Sequence, residues 1–189
     1  PVSMRCSVEW LRAYARLPEK GPTIARLLTE HSFETSLLPS VGTDEILNLD
    51  VLPNRAADCL SHLGVARELG AVLQRNVTWP ALSLPKAKPG LPFAVGVQHR
   101  SSCSRFLVAL LEGVRGDTAS PSWMQRRLRA VGVQPQNLIV DVTNYVLWEV
   151  GQPTHAFDAR AIGTRLGVRS AREGERVRTL DGVQRDLPG

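Results

Sequence analysis

Residues 120–158 read SPSWMQRRLRAVGVQPQNLIVDVTNYVLWEVGQPTHAFD, and this stretch decides how the chain is organised. Ser120-Pro121 opens a helix, because a serine side chain can cap free amides and proline fits the first turn. Over 123–130 the periodicity sets Trp123, Arg127 and Ala130 on one side and turns Arg126 and Arg129 elsewhere. Gly132 stops that helix, and Pro135 keeps the chain from resuming it at once. A second helix begins at Gln136 or Asn137. Ile139, Val142, Thr143, Val146 and Val150 recur at spacings of three and four, which predicts one buried stripe. The β-branched content leaves a strand over 138–142 as the alternative. Gly151 followed by Gln152-Pro153 ends the element, and 154–158 turns back over it.

Thr143 then sits in the middle of the second helix, and His155 lies just past its end. A hydroxyl and an imidazole meet there if the Pro153 turn folds back, and such a pair can orient or activate a water. The commoner reading of either residue, on spacing alone, is a hydrogen-bonded core group.

The run DVTNYVLWEVGQPTHAFD, preceded by SPSWMQRRLRAVGVQP, resembles the β chain of bacterial phenylalanyl-tRNA synthetase in its editing module. In that family the threonine of DVTNY and the histidine of the QPxHAFD turn line the pocket that hydrolyses mischarged tyrosyl-tRNA. The resemblance therefore implies catalytic editing roles for Thr143 and His155. It also implies a synthetase α subunit and tRNA(Phe) as partners. ATP and magnesium would serve the parent enzyme only, and no cofactor is expected for this chain. SVEWLRAY at 7–14 and HSFETS at 31–36 resemble the opening of the same β chain.

Outward from that stretch, 189 residues hold one medium domain or two small ones. A hydrophobic share of 43% with 22% charged residues is ordinary for a globular protein. The formal net charge of +5 points to a polyanionic partner, and arginine supplies nearly all of it, with lysine only at 20, 86 and 88. Arg126, Arg127 and Arg129 are the candidate RNA-binding residues, with a solvated helix face as the plain alternative. Cys6, Cys59 and Cys103 form no metal-like pair, so neither a disulfide framework nor a metal site is expected. No apolar run reaches membrane-span length and no secretory pattern opens the chain. A cytoplasmic location follows, with an organellar one open.

The N-terminal segment begins with a short extended piece, CSVEWL, followed by a helix from Pro22 to His31 with Ile24, Leu27 and Leu28 on one face. Trp10 and Phe33 are expected core residues. The segment 39–44 reads as a polar hinge. The resemblance places a whole tRNA-binding barrel there, and this chain has about half a dozen residues instead. Leu47, Leu49 and Val51 alternate with Asn48 and Asp50 as a strand, and Ser61 caps a helix through Gln74. Against the family pattern, Leu52 replaces a usual threonine, and the link from Asn54-Arg55 to Asp58-Cys59 is one residue longer. Asn54, Arg55, Asp58 and His62 read as a structural turn, with His62 on a solvated helix surface.

The expected fold class is α+β, mixed α/β. A small helical N-terminal domain (1–77) precedes a proline-rich linker (78–92) and the first part of a mixed-sheet, editing-like module (93–189). Strands are expected at 93–97, 104–112, 166–170, 176–180 and 183–187, with Asp181-Gly182 as a hairpin turn. The glycine-rich floor and acidic residue that complete the family's editing pocket have no counterpart in the sequence. The synthetase core is likewise missing. The functional expectation is a part of phenylalanine–tRNA ligase β, in aminoacylation and editing of tyrosyl-tRNA(Phe), inactive by itself. The alternative is a non-catalytic RNA-binding or scaffold protein derived from that subunit, for example in a ribonucleoprotein, with other RNA as partner.

Overall fold

A computed structural model describes residues 2–83, 85–86, 90–98, 103–179 and 181–187. Lys88 and Pro89 of the expected linker, and Leu180 of an expected strand, fall outside them. The alternating run around Leu47 makes β3 (Asp44–Val51), the centre of a three-stranded antiparallel sheet. β1 (Val2–Ser7) pairs on one side, setting Met4 opposite Leu49 and Cys6 opposite Leu47. These four side chains reach the core, as a period of two requires. β2 (Thr35–Val41) pairs on the other side.

Two expectations change here. The segment 39–44 is the tip of the β2–β3 hairpin rather than a polar hinge. β2 runs through Pro39 at the sheet edge, and a register shift between Leu38 and Val41 accommodates the proline. Only Cys6 and Ser7 of CSVEWL are extended. Ser7 ends β1, and its hydroxyl accepts the Trp10 N–H at 2.9 Å to cap α1 (Val8–Leu11).

α2 (Gly21–His31) starts at the predicted proline and buries Ile24 and Leu28. A 3-10 turn at Pro53–Arg55 and α3 (Ala56–Cys59) lead into α4 (His62–Val72), which Ser61 caps through the Gly64 N–H. Arg55 grips Asp58 at 2.9 Å and Glu68 at 2.7 Å. The polar cluster at this turn is thus a structural clasp between side chains.

The chain forms two compact units, and neither is contiguous in sequence. The first takes Pro1–Leu84 and Arg115–Ala156, the second Pro85–Val114 and Phe157–Gly189. This partition runs differently from a division at residue 93. α5 (Ser122–Ala130) and α6 (Leu138–Val150) pack with the N-terminal segment, α5 against β1 and α6 against α4. One core of Trp10, Leu11, Leu28, Leu49, Leu69 and Leu128 joins both stretches. Sheet and helices together give the expected α+β class.

In the second unit, β4 (Ala94–Val97) pairs parallel with β5 (Arg165–Val168), Val95 opposite Leu166. β6 (Arg176–Arg178) and β7 (Gln184–Asp186) form a hairpin around Asp181-Gly182, where the Gly182 N–H reaches the Thr179 carbonyl at 2.8 Å. The strand expected over 104–112 is not formed. Its alternation finds no pairing strand among the described residues, and Leu107 and Leu111 stay 83% and 72% exposed.

Candidate functional site

α6 carries the first candidate, Thr143, and its placement begins at Asn137. The Asn137 side-chain oxygen accepts the Ile139 and Val140 N–H groups at 3.1 Å each, fixing the helix start and removing the strand alternative. Ser120 does not cap α5. Its hydroxyl donates instead to Asp141, which is buried and also accepts the Gln136 N–H at 2.8 Å. One carboxylate thus ties the approach to α5 to the first turn of α6. Gly151 closes α6 in the left-handed region at φ +75°, against the Leu60 carbonyl; a Cβ there would lie 3.3 Å from that oxygen.

The face that α6 buries is not the predicted one. Asp141, Tyr145 and Trp148 turn toward the core, while Val142 and Val150 are 39% and 42% exposed. The reason is chemical. The core beside α6 is aromatic and hydrogen-bonded, and only the Asp141–Tyr145–Trp148 side has partners for it. Tyr145 stacks on Trp10 at 4.8 Å, and Trp10 stacks on His62 at 4.0 Å. Trp123 meets Tyr145 edge-on at 5.3 Å. The Tyr145 hydroxyl accepts from Arg127 at 2.6 Å and donates to Glu149 at 2.9 Å. The Tyr14 hydroxyl accepts the Trp10 indole N–H at 3.0 Å and also donates to Glu149. Burial raises both phenols above their ordinary pKa, and the hydrogen bonds to Glu149 add to it, so both remain protonated donors.

His62 is the largest departure from the sequence reading. It is fully buried instead of solvated, because the start of α4 lies against the Trp10 ring, stacked at 4.0 Å, and beside Trp148. Its Nε2 accepts the Ser7 N–H at 3.0 Å, and Nδ1 lies 2.8 Å from the Trp148 carbonyl, which fixes the Nδ1–H tautomer. Burial pushes its pKa down to about 3, and the Arg127 charge acts the same way against the Trp148 hydrogen bond. His62 is a neutral structural bridge. Burial also pushes the Cys6 and Cys59 thiols upward, Cys59 to about 12, so neither supplies a thiolate nucleophile.

Thr143 lies half-buried on the side of α6 away from Tyr145, and its hydroxyl donates to the Val140 carbonyl at 2.7 Å. That bond commits the proton and leaves the oxygen as an acceptor toward its surroundings. His155 stands exposed in the irregular segment after Gly151. Of the three candidate arginines, Arg126 and Arg129 are exposed, Arg129 donating to Gln125 at 2.9 Å. Arg127 is drawn inward, its guanidinium 5.3 Å from the Trp10 ring and 5.7 Å from the Trp123 ring. Its role in this fold is structural. Asp141 and Glu149, which sequence reasoning did not single out, hold the helix that carries Thr143. The charge of each within an apolar helix was the available signal.

Two shallow concavities lie elsewhere. One of about 180 Å³ is lined by Arg5, Leu38, Pro39, Val41, Ile46 and Ala130. The other, of about 380 Å³, lies in the second unit beside Arg169 and Glu175. Among the described residues no cluster of His, Cys, Asp and Glu could hold a metal ion, and no helix is long and apolar enough to cross a membrane.

Residues 102–189 match the B3/4 domain family. Across the longer alignment, the chain is 43% identical over 145 residues, 76% of its length, to the phenylalanine–tRNA ligase β subunit of Carboxydothermus hydrogenoformans. The chain is homologous to a stretch of the phenylalanine–tRNA ligase β subunit. The β subunit of Salinibacter ruber is 44% identical over 152 residues, and that of Nitratidesulfovibrio vulgaris 43% over 174, which is 90% of the chain. The chain spans only 18 to 20% of the length of these relatives. The resemblance read from DVTNY and QPTHAFD is therefore a homology that reaches well beyond those motifs.

Proposed function

We propose that this chain serves as part of a phenylalanine–tRNA ligase β subunit and contributes to hydrolytic editing of tyrosyl-tRNA(Phe). The observation that carries this reading is the alignment with curated β subunits over 76 to 90% of the chain, together with the match of 102–189 to the B3/4 domain. Thr143 and His155 are the proposed editing residues. Thr143 offers an acceptor oxygen on a helix braced from behind by Tyr145 and Glu149. It would orient the attacking water or the aminoacyl group. His155, exposed at the end of the same segment, would hold or relay the proton. Editing answers a discrimination problem, since a pocket shaped for phenylalanine rejects an added hydroxyl poorly. The proposed partners are the ligase α subunit and tRNA(Phe). ATP and magnesium belong to synthesis in the whole ligase and not to this stretch.

The test replaces the matched stretch of the Carboxydothermus β subunit with this chain and assays the chimeric ligase on tyrosyl-tRNA(Phe). Deacylation should persist, and His155→Ala and Thr143→Ala should each lower it by tenfold or more with phenylalanine charging retained. A chimera that charges normally but never deacylates, with either residue intact, counts against the reading. The net charge of +5 supports a second reading, an RNA-binding scaffold without hydrolysis. That reading predicts salt-sensitive RNA binding by the chain and no effect of the two alanine substitutions.

A further inference from the structure

The charge of the chain is divided unevenly between its two units. The first unit contains twelve Lys and Arg against twelve Asp and Glu, and the second eleven against six. The whole formal excess of +5 therefore belongs to the second unit, the smaller of the two. In the first unit the positive and negative charges balance, and several arginines are neutralised or drawn inward, while Arg126 and Arg129 on α5 stay exposed. Arg75 pairs with Glu19 at 2.6 Å and Arg55 with Glu68 at 2.7 Å, and Arg127 lies over the aromatic stack.

Among the described residues of the second unit, four ion pairs use four of its six carboxylates: Arg160–Asp158, Arg169–Glu175, Arg176–Asp186 and Arg185–Asp181. Arg105, Arg165 and Arg178 are left exposed with no carboxylate partner among the described residues. Arg165 opens the outward-facing side of β5, where Leu166 and Val168 turn to the half-buried side. Arg178 closes the outer end of β6 and spends only its Nε–H, on the Gly182 carbonyl at 3.2 Å, so its terminal nitrogens remain available.

Five surplus charges on a small unit repel one another and disfavour its compact state unless an anion answers them. The surplus is mostly guanidinium, a fork that matches phosphate oxygens two at a time. We propose that the second unit carries the RNA-binding surface of this chain, with Arg105, Arg165 and Arg178 as phosphate contacts. This moves the electrostatic contribution away from α5, and it rests on the RNA partner assigned under the proposed function.

The experiment measures binding of the full chain to a labelled tRNA(Phe) transcript by anisotropy, from about 50 to 200 mM salt, and takes the slope of log affinity against log salt. Each phosphate contact contributes roughly 0.7 to 0.9 to that slope. Arg105→Gln/Arg165→Gln/Arg178→Gln should flatten it by about 2 and weaken binding tenfold or more at low salt. The triple lysine variant should keep the slope, which separates lost charge from a damaged fold. Arg126→Gln/Arg129→Gln should flatten it less. The inference is overturned, with RNA binding itself intact, if the α5 variant takes the loss and the triple glutamine variant does not. Absence of salt-sensitive tRNA binding in the unaltered chain overturns both this inference and the RNA reading. Binding to anionic phosphatidylserine vesicles that needs the three arginines, without tRNA binding, assigns the surface to a membrane and overturns it as well.

Discussion

Acid should unfold the first unit through His62, and the size of the effect can be worked from its burial. In the unfolded chain an imidazole titrates near its ordinary value of 6.5, and in the folded unit burial lowers it to about 3. The unfolded state thus binds more protons than the folded one across that window. Stability from this group is fully present above about pH 6.5 and falls as pH drops toward 3, with a limiting slope of about 1.4 kcal/mol per pH unit. Full protonation of the buried ring is impossible without breaking the hydrogen bond from Ser7, because Nε2 must then donate rather than accept. Integrated, the loss is about 2 kcal/mol between pH 7.5 and 5, and approaches roughly 5 kcal/mol at the acid end. The assay is urea unfolding followed by tryptophan fluorescence, since Trp10 stacks directly on the ring. His62→Gln provides the reference, because it removes the titration while leaving the carboxylates that titrate in both proteins. The difference in stability between the two should shrink by about 2 kcal/mol from pH 7.5 to 5. An unchanged difference across that range would refute the assignment of a buried, neutral imidazole.

Three further outcomes follow from the packing around α6. Gly151→Ala should destabilise the first unit by about 1 to 3 kcal/mol in thermal unfolding, because the residue sits at φ +75° against the Leu60 carbonyl. Arg127→Met should cost about 1 to 3 kcal/mol by the same measurement, as it removes the Tyr145 hydrogen bond and the charge over Trp10 and Trp123; a loss near zero would mean the guanidinium is solvated. Thr143→Val should change stability by no more than about 0.5 kcal/mol, since its hydroxyl donates only within its own helix. Any deacylation lost by that variant in the chimeric ligase is then chemical rather than structural.

The boundaries of α6 were legible in sequence, and its orientation was not. Asn137 and Gly151 act locally, through a side chain two or three residues from its target and a backbone angle, so a sequence reading can find them. The helix is apolar on almost every side, however, so periodicity offers several stripes of equal merit. What selects the Asp141–Tyr145–Trp148 side is the presence of Trp10, Tyr14 and His62, all distant in sequence. His62 shows the same limit. Its two hydrogen-bond partners stand 55 and 86 positions away, and nothing near it announces burial. At 104–112 the error ran the other way. A correct alternation of Phe106, Val108 and Leu110 makes no strand when no neighbouring strand takes up its hydrogen bonds. Thr143 and His155 were found through family resemblance, because an exposed imidazole and a helical hydroxyl have no distinguishing pattern of their own.

The interleaving of the two units has a consequence for biosynthesis. Trp10 leaves the ribosome more than a hundred residues ahead of Arg127 and Tyr145, which cover it. At roughly 5 to 20 residues per second, the indole waits about 7 to 27 seconds for Tyr145. β4 must likewise wait for β5, about seventy residues on, before its ladder can form. The nascent chain therefore carries an incomplete aromatic core and an unpaired strand at the same time, and neither half of the polypeptide can finish a unit first. Slow synthesis through 85–114 would prolong that exposure, and a chaperone that holds apolar surface would meet this chain at its most vulnerable between Leu84 and Arg115.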